Sequence, residues 1–336
     1  MSQLELHKIS RLGRQVDPLI IESLRNGSAR EFASPLSYHF DSGGKRMRAA
    51  MVIMACGAAG GRIEQAMRPA AVVEMIHNYS LVMDDLIDRG EVRRGHPTVR
   101  VKLGDSVALL VAMFYREVLD DLVESGPVSR QVRKISVRVM KEIIEGERLD
   151  LLFEQAGRVD SYLIKNRVTK PSFELYLNMI GKKTAALFKA AGEIGGSVAK
   201  ADSKVVKALG TFGWKTGLAF QIIDDVLDIC ASATGKEQAK DIVEHKLGNA
   251  AILVAMRFLP PKKKSELLKI LATEKASKGM IQRARSLVNE TPAEGDCREI
   301  AMNYLKNAKD QLSILPSSSY RTGLWKLADE VVARSY

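Results

Sequence analysis

Two short stretches of the sequence each contain three aspartates in the pattern D-D-x-x-D. They are Asp84, Asp85 and Asp88 in "SLVMDDLIDRG", and Asp224, Asp225 and Asp228 in "FQIIDDVLDI". On a helix, the first and last aspartates of such a triplet lie four residues apart and share a face. Like charges at that spacing repel, and the apolar neighbours strengthen the repulsion. Each triplet therefore predicts a bound cation.

Magnesium is the cation that this arrangement favours. Mg²⁺ binds one or two carboxylates and completes its shell with water and phosphate oxygens. A single D-D-x-x-D would fit a solvated helix face equally well, but two copies bordered by apolar turns favour a Mg²⁺ site that binds a diphosphate. In "GGKRMR", Gly43 and Gly44 break a helix, and Lys45 and Arg48 follow at once. A glycine turn that leads into a basic helix N-terminus is a candidate anion site.

The elements that position these residues are predicted to be helices. Apolar residues recur at steps of three and four, as in Ile300, Tyr304, Ala308 and Leu312, which share one face. No alternating run predicts a strand, and no linker divides the chain. The sequence therefore predicts an all-α fold, a single-domain helical bundle over residues 1–336.

Composition limits the class of protein. The chain has 336 residues, of which 46% are hydrophobic, so it is expected to be a soluble globular protein. The N-terminus has no signal-peptide core, and the apolar run 49–61 is too short to cross a bilayer, so we expect a cytoplasmic location and no integral membrane segment. The three cysteines are odd in number and form no C-x-x-C pair, which predicts reduced thiols without a disulfide framework or zinc site.

The net charge of +11 leaves nucleic acid, an acidic membrane surface and phosphorylated small molecules as partners. The densest basic run, 262–264, follows two prolines and is interpreted as a solvated loop. No zinc finger and no aromatic-interleaved basic strand accompanies it, so we expect no binding of nucleic acid.

The motifs together resemble those of the trans-isoprenyl diphosphate synthases, the polyprenyl synthetase family, and above all the archaeal-type short-chain geranylgeranyl and farnesyl diphosphate synthases. The similarity runs from "GGKRMR" through "HNYSLVMDDLIDRGEVRRGHPTV", "GKKTAALF" and "FQIIDDVLDI" to "GKEQAKDIVEHKLG". It implies a helical bundle around a deep central cavity, in which the two aspartate motifs face each other and bind Mg²⁺ that bridges an allylic diphosphate. It also implies a homodimer.

The resemblance assigns roles to residues by their position in the motifs. It assigns magnesium binding to all six aspartates of the triplets. It assigns binding of the allylic diphosphate to Arg93, Lys183, Thr184, Gln221, Lys236 and Lys246. It assigns binding of isopentenyl diphosphate to the Gly44 backbone, Lys45, Arg48, His77 and Arg94. The residues expected to be catalytic are Asp84, Asp85, Asp88, Arg93, Lys183, Asp224 and Lys236.

The implied reaction joins isopentenyl diphosphate to dimethylallyl, geranyl or farnesyl diphosphate, with Mg²⁺ assisting ionisation of the allylic C–O bond. Tyr79, five residues before the first triplet, and its small neighbour Ser80 are the implied determinants of chain length, and they favour geranylgeranyl diphosphate (C20). The alternatives are a farnesyl (C15) or longer-chain synthase and a non-catalytic subunit of a heteromeric synthase. A terpene cyclase would have a different second motif.

Four departures from the family pattern are expected to affect rate and substrate preference. Glu147 stands after Gly146 where the family commonly has glutamine, and Glu237 replaces a proline. His245 replaces a glycine before Lys246, and the Gly-Asp usually found after the first motif is absent from "ALLVAMFY".

Overall fold

The structure, a computed structural model, describes residues 3–124, 129–230 and 239–333, and its regular structure is almost entirely helical. The helices are α1 (Gln3–Gly13), α2 (Asp17–Arg25), α3 (Arg30–Asp41), α4 (Met47–Ala58), α5 (Met67–Ile87), α6 (Val99–Leu103), α7 (Asp105–Glu124), α8 (Ser129–Leu152), α9 (Ser161–Asn166), α10 (Phe173–Ile180), α11 (Ala186–Val198), α12 (Ser203–Cys230), α13 (Lys240–Val243), α14 (Ala250–Phe258), α15 (Pro261–Leu271), α16 (Lys278–Asn289), α17 (Ala293–Asp310) and α18 (Ser319–Ala333). The predicted all-α class is confirmed.

Short irregular elements interrupt the helices. One antiparallel ladder joins β1 (Val92–Arg93) to β2 (His96–Pro97), and each strand is too short to show an alternating pattern in the sequence. A π-helical turn, Gly181–Ala185, lies between α10 and α11. Such turns are rare overall, but those that occur are often located at functional sites.

The first of two compact units comprises Met1–Ile143, Ala186–Trp214 and Ala308–Glu330. Helix α4 is apolar around its circumference and almost wholly buried, which is typical of a central helix. Helices α5 and α11 both pack against α4, and α5 also packs against α7. This packing fixes the direction of α5, which carries the first aspartate triplet.

The second unit comprises Ile144–Ala185, Lys215–Asn307 and Val331–Tyr336. Its helix α14 packs against α10 and α16, and α16 also contacts α13 and α15. The second aspartate triplet, at the end of α12, belongs to this unit. One domain over the whole chain stays a prediction.

The buried face of α17 differs by one residue from the predicted face at its N-terminal end. Ala308 and the following Leu312 are buried as expected, but Ala301 and Leu305 occupy the centre of the buried face. Ile300 and Tyr304 are only partly buried, at the edge. A step of four residues drifts around the helix because a turn has 3.6 residues, so a stripe chosen at steps of four alone moves off the core.

The three cysteines are free thiols. Burial raises the pKa of Cys56 to about 11 and the pKa values of Cys230 and Cys297 to about 12. All three are therefore protonated at neutral pH and react slowly as nucleophiles.

No helix in the described ranges has both the length and the apolar character needed to cross a membrane.

Candidate active site

The first aspartate triplet lies at the C-terminal end of α5. Asp84 is in the last turn, and Asp88 ends the helix, with its backbone N–H donating to the Asp84 carbonyl at 2.8 Å. Asp85 is buried at 3% exposure, whereas Asp84 and Asp88 are partly exposed. The middle carboxylate therefore faces the protein interior, and the two outer carboxylates lie on a more open side of the helix.

The β1–β2 hairpin returns Arg93 to the end of α5. The Arg93 guanidinium donates to both carboxylate oxygens of Asp85, at 2.9 Å from Nε and 2.8 Å from Nη2. Burial alone would lower the pKa of Arg93, but the hydrogen bonds and charge of Asp85, with Asp84 and Asp88 nearby, raise it. This bidentate pair fixes the orientation of Arg93.

The basic residues of "GGKRMR" lie between α3 and α4. Gly44 has φ +133, and a Cβ there would lie 2.6 Å from Nη1 of Arg46 and 3.0 Å from Nη1 of Arg94, so the position requires glycine. Arg94 donates to the Gly43 carbonyl, and Lys45 is exposed. Arg94 and the glycine turn, which the resemblance assigns to the same diphosphate, are therefore close together.

Arg48 and His77 are in contact. Nη1 of Arg48 lies 3.1 Å from Nε2 of His77, and the guanidinium stacks over the Phe188 ring at 4.5 Å from its centroid. Burial and the charges of Arg48 and Arg94 lower the pKa of His77 well below its usual value, so His77 is neutral at pH 7. Burial and the neighbouring arginines also lower the pKa of Arg94. The local potential is positive, which favours an anion.

Arg46 has a different environment from its neighbours in the motif. It is 5% exposed, and its guanidinium donates to Asp17 at 2.8 Å, to the Gly43 carbonyl at 3.0 Å and to the Phe40 carbonyl at 3.3 Å. Its backbone is left-handed, with φ 50, immediately before α4. Arg46 therefore anchors the glycine turn from within the protein.

The second triplet lies in the last two turns of α12. Asp224 is exposed, Asp228 is partly exposed, and Asp225 is buried at 5% exposure. One Asp225 oxygen accepts from the Tyr176 hydroxyl at 2.7 Å and from the Ala250 N–H at 2.9 Å, and the other accepts from Gln221 Nε2 at 2.9 Å. The side-chain amide oxygen of Gln221 in turn accepts from the Thr184 hydroxyl at 2.7 Å. Gln221 and Thr184, both predicted site residues, are thus tied to Asp225.

Asp228 connects α12 to α13. Its carboxylate accepts from the backbone N–H of Lys240 at 2.9 Å and of Asp241 at 3.0 Å. Burial raises the pKa of Asp225 to about 7 and also raises that of Asp228. Burial and the charges of Asp228 and Asp225 raise the pKa of Asp241 well above its usual value. The charge of Asp224 also disfavours the ionised forms of Asp225 and Asp228, and a cation would relieve this repulsion.

Two predicted diphosphate-binding lysines converge on Asp150. Nζ of Lys183 lies 2.6 Å from Asp150 Oδ2 and 2.6 Å from Glu147 Oε2. Nζ of Lys246 lies 3.0 Å from the same Asp150 oxygen and 2.9 Å from Glu244. Burial alone would raise the pKa of Asp150, but the two ammonium groups hold it below its usual range.

The chain-length residues and the replaced glycine are also described. Tyr79 and Ser80 are partly buried on α5, and the Ser80 hydroxyl donates to the His77 carbonyl at 2.9 Å. His245 has a left-handed backbone, with φ 61, which explains why glycine suits this position in the family. Lys236 and Glu237 lie outside the described residues.

Several residues of these clusters were not singled out from the sequence. Asp150 follows the Gly146-Glu147 departure by three residues, and Asp241 and Glu244 lie in "GKEQAKDIVEHKLG", so these motifs were a signal. Tyr176 stands 49 positions from Asp225, and nothing in the local pattern around it marks it as a partner.

Among the described residues, no three or more His, Cys, Asp or Glu side chains are arranged so that they could hold a metal ion. Mg²⁺ needs only one or two protein carboxylates, because it completes its shell with water and substrate phosphate oxygens.

The fold gives the class of protein first: the chain has the all-α architecture of isoprenyl synthases. The polyprenyl synthetase family model matches residues 29–288, and the chain belongs to that family. It is 32% identical to the geranylgeranyl diphosphate synthase of Methanosarcina mazei over 98% of both chains. The predicted family is confirmed, and the chain is a trans-prenyltransferase.

Solved structures agree with this assignment. Geranylgeranyl pyrophosphate synthetase from Pyrococcus horikoshii matches with a TM-score of 0.88 at 31% identity, covering 98% of each chain. A decaprenyl diphosphate synthase from Rhodobacter capsulatus matches with the same TM-score at 27% identity, covering 98% of this chain and 99% of that one. The same fold therefore occurs in enzymes named for different products.

Proposed function

We propose that the chain condenses isopentenyl diphosphate head-to-tail with an allylic diphosphate and that Mg²⁺ is its cofactor. One observation carries the proposal: both aspartate triplets lie at the C-terminal end of a long helix. The helix macrodipole is negative at that end, so it adds to the repulsion among the carboxylates. Two such helix ends in one chain are difficult to explain without bound cations.

The outer aspartates are the ones that we assign to Mg²⁺ coordination: Asp84 and Asp88 on α5, and Asp224 and Asp228 on α12. Asp85 and Asp225, which the resemblance also assigns to magnesium, are buried against donors inside the protein. Asp228 also accepts from two backbone N–H groups, but it remains partly exposed. We assign Asp85 and Asp225 to the positioning of Arg93 and Gln221. When bound, Mg²⁺ neutralises the charge that collects on the departing diphosphate.

The basic residues divide between two diphosphates. We assign the allylic diphosphate to Arg93, Lys183, Thr184, Gln221, Lys236 and Lys246, and isopentenyl diphosphate to the Gly44 backbone, Lys45, Arg48, His77 and Arg94. Charged donors fixed in place stabilise a leaving diphosphate without reorganising during the reaction. Neutral His77 contributes a hydrogen bond rather than a further charge.

The product that we propose is geranylgeranyl diphosphate. It is supported by relatives that carry this name and by Tyr79 on α5, with the farnesyl and longer-chain products as alternatives. Tyr79→Ala is expected to lengthen the product. An unchanged product spectrum would remove Tyr79 as the determinant.

A homodimer is the proposed assembly. Leu109, Leu110 and Met113 form an exposed apolar patch on α7, with 47%, 53% and 57% of their surfaces accessible. Exposed apolar patches often mark protein interfaces, and a second copy of the chain is the occupant that the resemblance implies. Leu110→Glu is expected to shift the sedimentation coefficient to that of a monomer. The cytoplasmic location stays a prediction from the sequence.

The experiment that tests the function uses the purified chain alone. Incubation with isopentenyl diphosphate, Mg²⁺ and each of dimethylallyl, geranyl and farnesyl diphosphate, followed by mass spectrometry, should yield longer prenyl diphosphates. EDTA should abolish the product. No product from any starter would contradict the proposal, and product that appears only with an added partner protein would identify a non-catalytic subunit.

A further inference from the structure

We propose that Glu147 is a positioning residue that weakens the binding of the allylic diphosphate by Lys183. The inference rests on the proposed function, because it takes Lys183 as a ligand of that diphosphate. It concerns a departure from the family pattern whose carboxylate lies against a proposed diphosphate ligand.

A close approach of two backbones brings Glu147 to Lys183. A Cβ on Gly146 would lie 2.2 Å from the backbone nitrogen of Lys183, so α8 touches the π-helical turn Gly181–Ala185 at this point. Glu147 follows directly, and Asp150 lies one turn further along the same side of α8. Both carboxylates consequently reach Nζ of Lys183, each at 2.6 Å.

The charge of this cluster is unusual for an anion site. Two ammonium groups, of Lys183 and Lys246, face the three carboxylates of Glu147, Asp150 and Glu244. The side chains of these carboxylates are only 10%, 7% and 14% exposed, so solvent screens them weakly. Each of these two ammonium groups is therefore already paired with two carboxylates where a diphosphate is proposed to bind.

Each carboxylate of the cluster has a different set of partners. Asp150 contacts Lys183 and Lys246, Glu244 contacts Lys246 and Lys240, and Glu147 contacts Lys183. Removal of Asp150 would release both lysines at once. Removal of the Glu147 charge leaves Lys183 anchored on Asp150, so the side chain keeps its position.

A glutamine at position 147 would have nearly the same shape and accept a hydrogen bond from Lys183 without the charge. A diphosphate oxygen would then compete for the ammonium group with a neutral acceptor in place of a carboxylate. Hydrogen bonds to charged groups are the stronger class, so the exchange costs more in this chain than it would with glutamine. Glu147 thus raises the concentration of allylic substrate at which the enzyme is half-saturated.

The test is Glu147→Gln in the full-length chain. We expect the KM for the allylic diphosphate to fall about tenfold, because a charged competitor is replaced by a neutral one. The KM for isopentenyl diphosphate should remain within about twofold, since the ion pair that Glu147 makes is with Lys183, which is assigned to the other substrate. Calorimetric titration with inorganic pyrophosphate and Mg²⁺ should show a matching fall in Kd.

The matched control is Glu145→Gln. Glu145 lies on the same helix two residues earlier and pairs with Arg148 at 2.5 Å. Its replacement by glutamine removes the same charge as Glu147→Gln. It should leave the pyrophosphate Kd unchanged, which separates a contact at Lys183 from a general change in charge. In a Lys183→Gln background, Glu147→Gln should have no further effect on that Kd.

Three results would overturn the inference: an unchanged or weaker pyrophosphate affinity in Glu147→Gln, an equal gain in Glu145→Gln, or a gain that persists without Lys183. Glu147→Met, which also removes the charge, gives a second variant should the first unfold. A chain that makes no prenyl diphosphate would reject the proposed function, and the pyrophosphate titrations would still decide the role of Glu147.

Discussion

The two aspartate triplets share a spacing and a place at a helix end, but their middle carboxylates are buried in different ways. Asp85 pairs with the guanidinium of Arg93, whereas Asp225 accepts from Tyr176, Gln221 and the Ala250 backbone. A cation cancels a buried negative charge, but neutral donors only solvate it. For this reason the effect of burial outweighs that of the hydrogen bonds at Asp225, and its pKa is raised to about 7. Identical motifs thus acquire different electrostatics from the segments that pack on them.

The largest expected effect separates the outer aspartates from the middle ones. Asp84→Asn and Asp224→Asn should each lower kcat by about 100- to 1000-fold, because an element of charge stabilisation is lost. Both side chains are at least partly exposed, so the free energy of unfolding should change by less than about 0.5 kcal/mol. Steady-state rates with Mg²⁺ measure kcat. Thermal melts in EDTA measure the change in stability. A large loss of stability in either variant would mean that the outer aspartates are structural.

The next largest effect is a difference between the two middle aspartates in their contribution to stability. Asp85→Asn removes the bidentate charged partner of the largely buried Arg93 and should cost about 3 kcal/mol of unfolding free energy. Asp225→Asn should cost less than about 1 kcal/mol at pH 8, because Gln221 and Tyr176 can exchange donor and acceptor roles. Urea unfolding of the metal-free proteins provides the comparison. Equal losses would show that the two networks are energetically alike.

A pH series sharpens the same contrast. The folded-state pKa of Asp225, about 7, lies above the usual value of 3.8, so its stabilising contribution is complete below pH 3.8 and is lost as pH rises through 7. Between pH 5 and pH 8 this amounts to about 2 to 3 kcal/mol. The unfolding free energy of the metal-free wild type should fall over that range, and that of Asp225→Asn should fall by a smaller amount. Parallel curves for both proteins would contradict the raised pKa.

The smallest effect concerns the segments that follow each triplet. Arg89 after the first triplet and Ala239 after the second both have left-handed backbones, with φ 53 and 67. Glycine adopts this region without a Cβ penalty, so Arg89→Gly and Ala239→Gly should each stabilise the protein by about 0.5 to 1 kcal/mol. Chemical denaturation measures the gain. A gain at only one position would show that the other side chain compensates its strain through packing.

The sequence was sufficient for the helical class and for the positions of the triplets on their helices, because both depend on residue spacing. It was insufficient for partners that distant segments supply. Asp225 depends on Tyr176 and on the backbone of Ala250, neither of which is marked by a local pattern. Arg46 and Arg48 belong to one motif, yet Arg46 is held by Asp17 and Arg48 by His77. Only the positions of Asp17 on α2 and of His77 on α5 distinguish them.

The protonated state of the three native thiols has a practical consequence. Maleimide dyes react with thiolates, so they should modify an added surface cysteine much faster than Cys56, Cys230 or Cys297. Val159→Cys, at a position outside α7 with 91% of its surface accessible, would therefore accept a single fluorophore in the otherwise native chain. Mixing donor-labelled and acceptor-labelled samples would then report subunit exchange in the proposed homodimer by energy transfer, without removal of any natural cysteine.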